Sequence, residues 1–191
     1  QPAYLSAYKY MVRRARKVIW LTEAEQRLGL ELWGDLPGEV VAMSIETGLR
    51  EPARAETPYL LYCGRVDPNK GCPELFDYFV RFKQEFPSDL RLVLIGEKTM
   101  QLPQADDIEF RGFAEHEEKF RLMGGASVFV MPSRNESFSI VTLEAMGQRT
   151  PVLACGDGEV LVDHVSLSRA GKLYNDYESF RAALSGMLAD E

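Results

Sequence analysis

YLLYCGRVDPNKG, residues Tyr59 to Gly71, is the stretch on which the fold turns. Its opening is apolar without alternation, which is how a strand reads when both faces of its sheet are covered. A turn of Asp67, Pro68, Asn69 and Gly71 follows. After the turn, Leu75, Phe76, Phe79, Val80 and Phe82 recur at mostly helical spacing over residues 71–86. Strand, turn and helix form one half of a βαβ unit, so the neighbouring sequence decides whether the unit repeats.

It does repeat. LRLVLIG (Leu90 to Gly96), IEFRG (Ile108 to Gly112), SVFVMP (Ser127 to Pro132) and PVLAC (Pro151 to Cys155) read as strands. Helical patterns cover His116 to Met123, Phe138 to Gln148 and Tyr177 to Leu188, and Gly171 to Tyr174 adds a further short strand. Apolar strands alternating with helices predict an α/β fold, a doubly wound, Rossmann-like parallel sheet. Ligands of such sheets lie beyond the carboxyl ends of the strands, so the residues after YLLYCG, LRLVLIG, IEFRG and SVFVMP carry the information about function.

Upstream, TGLREPARAETP (Thr47 to Pro58) has the composition of a linker. Before it, residues 1–17 read as a basic amphipathic helix, either a solvated face or a membrane-surface patch. VIWL (Val18 to Leu21) is a short strand, and Thr22 with Glu25 forms a capping-box pattern opening a helix from Glu23 to about Trp33. VVAMSI (Val40 to Ile45) is a second strand. The chain thus divides into residues 1–50, including the start of the linker, and a main domain over 51–191.

The 191 residues are 46% hydrophobic and 27% charged, as in a globular protein that folds in water. With 22 Lys and Arg against 29 Asp and Glu, the net charge of -7 repels nucleic acid. An anionic ligand must therefore be held by a few local cations. Three cysteines (Cys63, Cys72 and Cys155), no C-x-x-C pair and two histidines point to free thiols in a reducing compartment rather than a metal site. There is no apolar run of membrane-spanning length and no signal peptide. The start QPAYLSAYKY, without an initiator Met, together with the length beyond one ordinary domain, reads as a piece cut from a longer protein, with a processed or trimmed chain as the alternative.

Two strand-end loops carry candidate chemistry. In GRVDPNKG, Arg65 leaves the strand and Lys70 stands at the start of the next helix, so both could converge on one diphosphate near a positive helix terminus. The competing reading is a charged turn in which Arg65 pairs with Asp67. Neither G-x-G-x-x-G nor the P-loop pattern is present, which weakens nicotinamide and ATP chemistry. In the second loop, SRNESFSIVTLEAMG, Ser133 and Glu136 also fit a capping box. Glu144 projects between Ile140 and Val141 on a helix that is apolar nearly all round, so its carboxylate needs a polar cleft or a ligand. Eight residues at about 1.5 Å each separate the two acids by about 12 Å if both are helical. The free N–H groups of Ser137, Phe138, Ser139 and Ile140 lie at the amino end between them and favour an anion. Acceptor, donor patch and acceptor match a nucleotide sugar.

These motifs resemble the retaining glycosyltransferases of family 4, with the GT-B architecture of two Rossmann-like domains across a cleft. GRVDPNKG, LVLIG, IEFRGF and PSRNESFSIVTLEAMGQRTPVLA carry the likeness over residues 59–188, in the order of the family's C-terminal, donor-binding domain. The resemblance implies that Arg65 and Lys70 bind the donor phosphates and stabilise the departing diphosphate. It places Glu136 by the transferred sugar as a catalytic-site acid, Glu144 on the ribose, Ser137 to Ile140 against sugar and phosphates, and Phe113 at the base. Residues 1–50 become the remnant of an N-terminal, acceptor-side domain. The chain alone is then expected to bind donor and to transfer nothing measurable.

Ser139 departs from the family, where the position is commonly Gly. CGDGEVLVDHV (Cys155 to Val165) departs from the usual glycine-rich loop, and for Glu159 and His164 an ordinary surface loop is the competing reading. The expected partners are a UDP-, GDP- or ADP-linked sugar and an acceptor sugar, lipid or small molecule, with no nucleic acid. No metal or other cofactor is implied; Asp106 and Asp107 form no D-x-D motif. A cytoplasmic location follows, with contact at the inner membrane face through the missing domain left open. The alternatives are a nucleotide-sugar epimerase or phosphorylase of the same architecture and a non-catalytic nucleotide- or carbohydrate-binding module, with a dehydrogenase a weaker third.

Overall fold

A computed structural model describes residues 3–189. The chain forms two compact units, one ending at Ser44 and the other starting at Ile45. In the first, helix α1 (Ala3–Val12), strand β1 (Val18–Trp20), helix α2 (Glu23–Trp33) and strand β2 (Gly38–Val40) follow in order, with β1 and β2 parallel. Thr22 caps α2 as its sequence predicts, its hydroxyl accepting from the Glu25 N–H at 3.0 Å. Trp20 stacks on Trp33 at 6.3 Å and lies so close over Gly29 that a Cβ there would overlap its ring. The strand predicted at 40–45 begins and ends earlier, because backbone pairing with β1 covers only Gly38 to Val40. The predicted basic helix ends at Val12 instead of residue 17.

The second unit holds the main sheet. Strands β3 (Tyr59–Cys63), β4 (Arg91–Ile95), β5 (Ile108–Gly112), β6 (Val128–Met131), β7 (Val152–Cys155) and β8 (Gly171–Tyr174) are all parallel. They lie in the order β5-β4-β3-β6-β7-β8. Helices α3 (Cys72–Glu85), α4 (His116–Gly125), α5 (Ile140–Gly147), α6 (Glu159–Ser168) and α7 (Tyr177–Ala189) make the connections or close the chain. Every residue of β3, β6 and β7 is buried, which explains their unbroken apolar runs. Each large side chain there removes apolar surface worth roughly 1.5–3 kcal/mol. The chain runs outward from β3 to β5, then crosses back to place β6 on the other side of β3. Adjacent parallel strands whose connections leave in opposite directions open a crevice at their carboxyl ends.

Two predictions need correction here. The predicted linker at 47–58 is irregular, but it is tied to the second unit: Ala53 donates to the Arg121 carbonyl at 2.8 Å and Arg50 to the Gln148 side chain at 2.8 Å. The Arg50 guanidinium reaches Glu117 at 2.8 Å and also bonds Glu46. The stretch 159–165, for which a surface loop was the competing reading, is helical and buries Val160, Leu161 and Val165. Among the described residues, no helix is long and apolar enough to cross a membrane.

Candidate functional site

The crevice between β3 and β6 is built from two dissimilar loops. After β3, the buried Tyr62 donates its hydroxyl to the Arg65 carbonyl at 2.8 Å, which fixes where the chain leaves the sheet. Val66 then runs beside the loop that follows β4, donating to Glu97 at 2.7 Å and accepting from Thr99 at 3.0 Å. Asp67 accepts from the Asn69 N–H at 2.8 Å and from the Thr99 hydroxyl at 3.0 Å. Those bonds, chiefly the Asn69 N–H, hold its carboxyl below the usual range. Arg65 Nε lies 3.4 Å from Asp67 Oδ2 with half of its side chain still exposed, so the turn pairing is present and the guanidinium remains open to a ligand. One 3-10 turn (Pro68–Lys70) ends at Gly71, whose φ is 75°. A Cβ there would sit 2.3 Å from the Pro132 carbonyl oxygen; only glycine lets the loop press against the end of β6.

That approach carries Lys70 across the crevice. Its Nζ donates to Glu136 Oε1 at 2.7 Å, joining the loop after β3 to the loop after β6. The predicted capping box is not formed: Ser133 Oγ donates to the Asn135 carbonyl at 3.3 Å, and the helix begins at Ile140 rather than Phe138. Glu136 therefore stands outside the helix, and the separation reckoned from helical rise does not apply. Ser139, where a glycine is usual, adopts the left-handed conformation with φ 57°. Its side chain turns inward to Thr142, 2.8 Å between hydroxyls. Phe138 is buried against the edge of His164, whose Nε2–H donates to the Phe138 carbonyl at 2.6 Å. The turn is thus clamped through its side chains and one carbonyl. Among the described residues no backbone carbonyl accepts from the N–H groups of Ser137, Phe138, Ser139 or Ile140.

Glu144 is only 7% exposed, as its place on an apolar helix implies. Its partner is Lys119 on α4, whose ammonium donates to both carboxylate oxygens at 2.7 Å. Lys119 also lines a cavity of about 620 Å³ at the carboxyl ends of β3, β4 and β5, together with Cys63, Arg65, Phe113 and His116. Phe113 stands at its rim, 83% exposed. Burial pushes the Cys63 thiol up to about 12, with the Lys119 charge opposing. Of the residues singled out in the sequence, Arg65 and Phe113 share this cavity, Lys70 and Glu136 are joined, and Glu144 reaches it through Lys119. Phe138 and Ser139 turn their side chains away. Lys119, Tyr62 and the clamp made by His164 were missed, since each depends on a partner distant in sequence or on a contact no local pattern encodes.

A crevice at a topological switch point, with cations and acids on its loops, is a feature of doubly wound, Rossmann-like sheets. The chain belongs to the family Glycosyl transferases group 1, whose model matches residues 57–190. It is 32% identical over 120 residues to a phosphatidyl-myo-inositol mannosyltransferase of Propionibacterium freudenreichii subsp. shermanii, which covers 57% of this chain and 31% of that protein. Among solved structures, a sucrose-phosphate synthase of Thermosynechococcus elongatus superposes with a TM-score of 0.80 at 25% identity, over 97% of this chain and 52% of the other. An Anabaena protein, HepE, solved with UDP and glucose, has the same fold, with a TM-score of 0.82 at 19% identity over 97% of this chain and 57% of the other. These folds are GT-B glycosyltransferase folds, as the motifs led one to expect. The chain spans less than half the length of the curated relatives it matches.

Proposed function

We propose that this chain is the donor-binding half of a retaining glycosyltransferase that takes a sugar from a nucleoside diphosphate. The observation that carries the reading is the 2.7 Å contact of Lys70 with Glu136, a cation and an acid brought from the two strands that flank the switch point. A diphosphate entering beside Arg65 offers Lys70 a stronger partner than one carboxylate. The freed Glu136 accepts from hydroxyls of the sugar. When the bond from the anomeric carbon to the diphosphate oxygen breaks, its electron pair stays on that oxygen, where Arg65, Lys70 and the N–H groups of residues 137–140 oppose the new charge. Glu144, held by Lys119, sits where a ribose hydroxyl would be read, and the base lies along Phe113. The side-chain cations meet the whole charge of the diphosphate in this scheme, and no metal is given a role. HepE binding UDP and glucose in the same fold supports the ligand class.

Residues 1–50 are, in this reading, the end of an acceptor-side domain, and the acceptor and much of the catalytic apparatus belong to the rest of that domain. Titration with UDP, GDP and ADP tests the proposal. One nucleotide should bind saturably. Arg65→Ala and Lys70→Ala should each weaken it about tenfold or more, the value of a charge-assisted hydrogen bond of roughly 1.5–3 kcal/mol. Unchanged affinity in both variants would remove the clamp, while binding without transfer in the full-length enzyme, whatever acceptor is offered, would leave a binding module.

A further inference from the structure

A second cleft opens at the other end of the sheet, where β7 and β8 begin. It has a volume of about 310 Å³ and is lined by Arg149, Arg169 and Lys172, with Met146, Pro151 and Met187 as its apolar wall. In a chain of net charge -7, three of the lining residues are cationic. No ion pair or side-chain hydrogen bond is formed by any of the three among the described residues, whereas most arginines of the second unit, among them Arg50, Arg81, Arg91, Arg111, Arg134 and Arg181, have carboxylate partners. Lys172 lies over the backbone of α7, its ammonium 2.9 Å from where a Cβ of Gly186 would be.

The backbone adds an independent observation. Arg149 and Arg169 adopt left-handed conformations, φ 67° and 56°, just past the ends of α5 and α6. Glycine, and less often asparagine, is usual at such a position, and a residue with a Cβ is strained there. The helix dipole would be satisfied by a cation in the last turn, without that strain. Strain at two residues that line one cleft is the kind of feature that clusters at binding sites.

We infer that this cleft binds a phosphomonoester. Two guanidinium forks and an ammonium match the oxygens and the double charge of a phosphate better than a single carboxylate. The volume suits a small phosphorylated molecule or a lipid headgroup, with the methionine wall taking its carbon part.

The test uses the full chain carrying Arg65→Ala and Lys70→Ala, which removes the clamp proposed for the donor from the readout. Titrated calorimetrically with glycerol 3-phosphate and with inorganic phosphate, it should bind one equivalent. Adding Arg149→Gly and Arg169→Gly should weaken binding at least tenfold while the thermal midpoint holds or rises, because glycine relieves both backbones. Vesicles of phosphatidylcholine with and without phosphatidic acid distinguish the sources: retention only on phosphatidic acid, lost in the glycine variants, assigns a headgroup, and binding of free phosphate without retention assigns a soluble ligand. No saturation by phosphate or glycerol phosphate up to about 10 mM, weaker than several charge-assisted bonds supply, together with no vesicle retention, would overturn the inference. Equal binding in the glycine variants would do the same.

Discussion

Lys70–Glu136 and Lys119–Glu144 are both 2.7 Å ion pairs near the carboxyl ends of the strands, yet they are built for different work. The first joins two loops, and its lysine side chain is 31% exposed and its acid 13%. The second joins two helices, the side chains of its lysine and acid are 19% and 9% exposed, and the ammonium serves both carboxylate oxygens. The more exposed a pair is, the more water competes for each partner and the more weakly the pair is held. A buried pair is held by the cost of leaving either charge alone. The loop pair can therefore open for a ligand, while the helix pair fixes the floor of the site.

The sharpest way to break this contrast is Lys119→Met. It strands the Glu144 carboxylate, and we expect a loss of about 3 kcal/mol in unfolding free energy, read from the urea midpoint at unchanged slope. The double variant Lys119→Met, Glu144→Leu should recover most of it, since hydrophobic residues of similar volume replace buried pairs at little cost. A single variant as stable as the parent would show that Glu144 is solvated, contrary to its burial.

Lys70→Ala should do the reverse. Stability should change by less than about 1 kcal/mol, as for other partly exposed pairs. Nucleotide affinity should fall about tenfold or more, and the loss should shrink as salt is raised. A stability loss equal to that of Lys119→Met would make the two pairs alike and turn Lys70 into a structural residue.

The contrast between the pairs was only half visible in the sequence. β3, β4, β6 and β7 could be read directly because both faces of each are buried, and a run such as YLLYC has no other comfortable place. The cations and acids could be found because they follow those strands. Their pairing could not. Lys119 stands 25 positions from Glu144 on another helix, and Lys70 stands 66 from Glu136, so nothing local links them. The capping-box spacing occurs twice, and only Thr22 uses it; at Ser133 the chain stays irregular for several residues and Glu136 bonds Lys70 instead. Helix α6 was obscured by the glycines that precede it, although Val160, Leu161 and Val165 already mark an apolar face.

Ser139 sharpens the comparison from the side of the loop pair, because it shapes the turn after Glu136. Its left-handed backbone costs about 1 kcal/mol, and its hydroxyl contact with Thr142 returns a similar amount. Ser139→Ala keeps the strain and loses the bond, so it should destabilise by about 1 kcal/mol. Ser139→Gly loses both, so it should be near neutral. Equal losses in the two variants would mean that the hydroxyl alone matters and the backbone is unstrained.

The smallest effect belongs to Cys63, beside the buried pair. Burial raises its thiol from 9.0 to about 12, Lys119 lowers it and Glu144 raises it. Because the folded value lies above the unfolded one, the contribution to stability is intact below pH 9.0 and is lost progressively as the pH rises toward about 12. At pH 9.5 the parent should have lost about 0.8 kcal/mol that a Cys63→Ala variant does not lose. In Lys119→Met the thiol has lost its opposing cation, so ionisation should move to still higher pH and alkylation by iodoacetamide at pH 8 should slow further. If Lys119→Met instead made the thiol more reactive, the ammonium would not be seated where it neutralises Glu144. The helix pair would then be as loose as the loop pair, and only the loop pair would remain to account for the site.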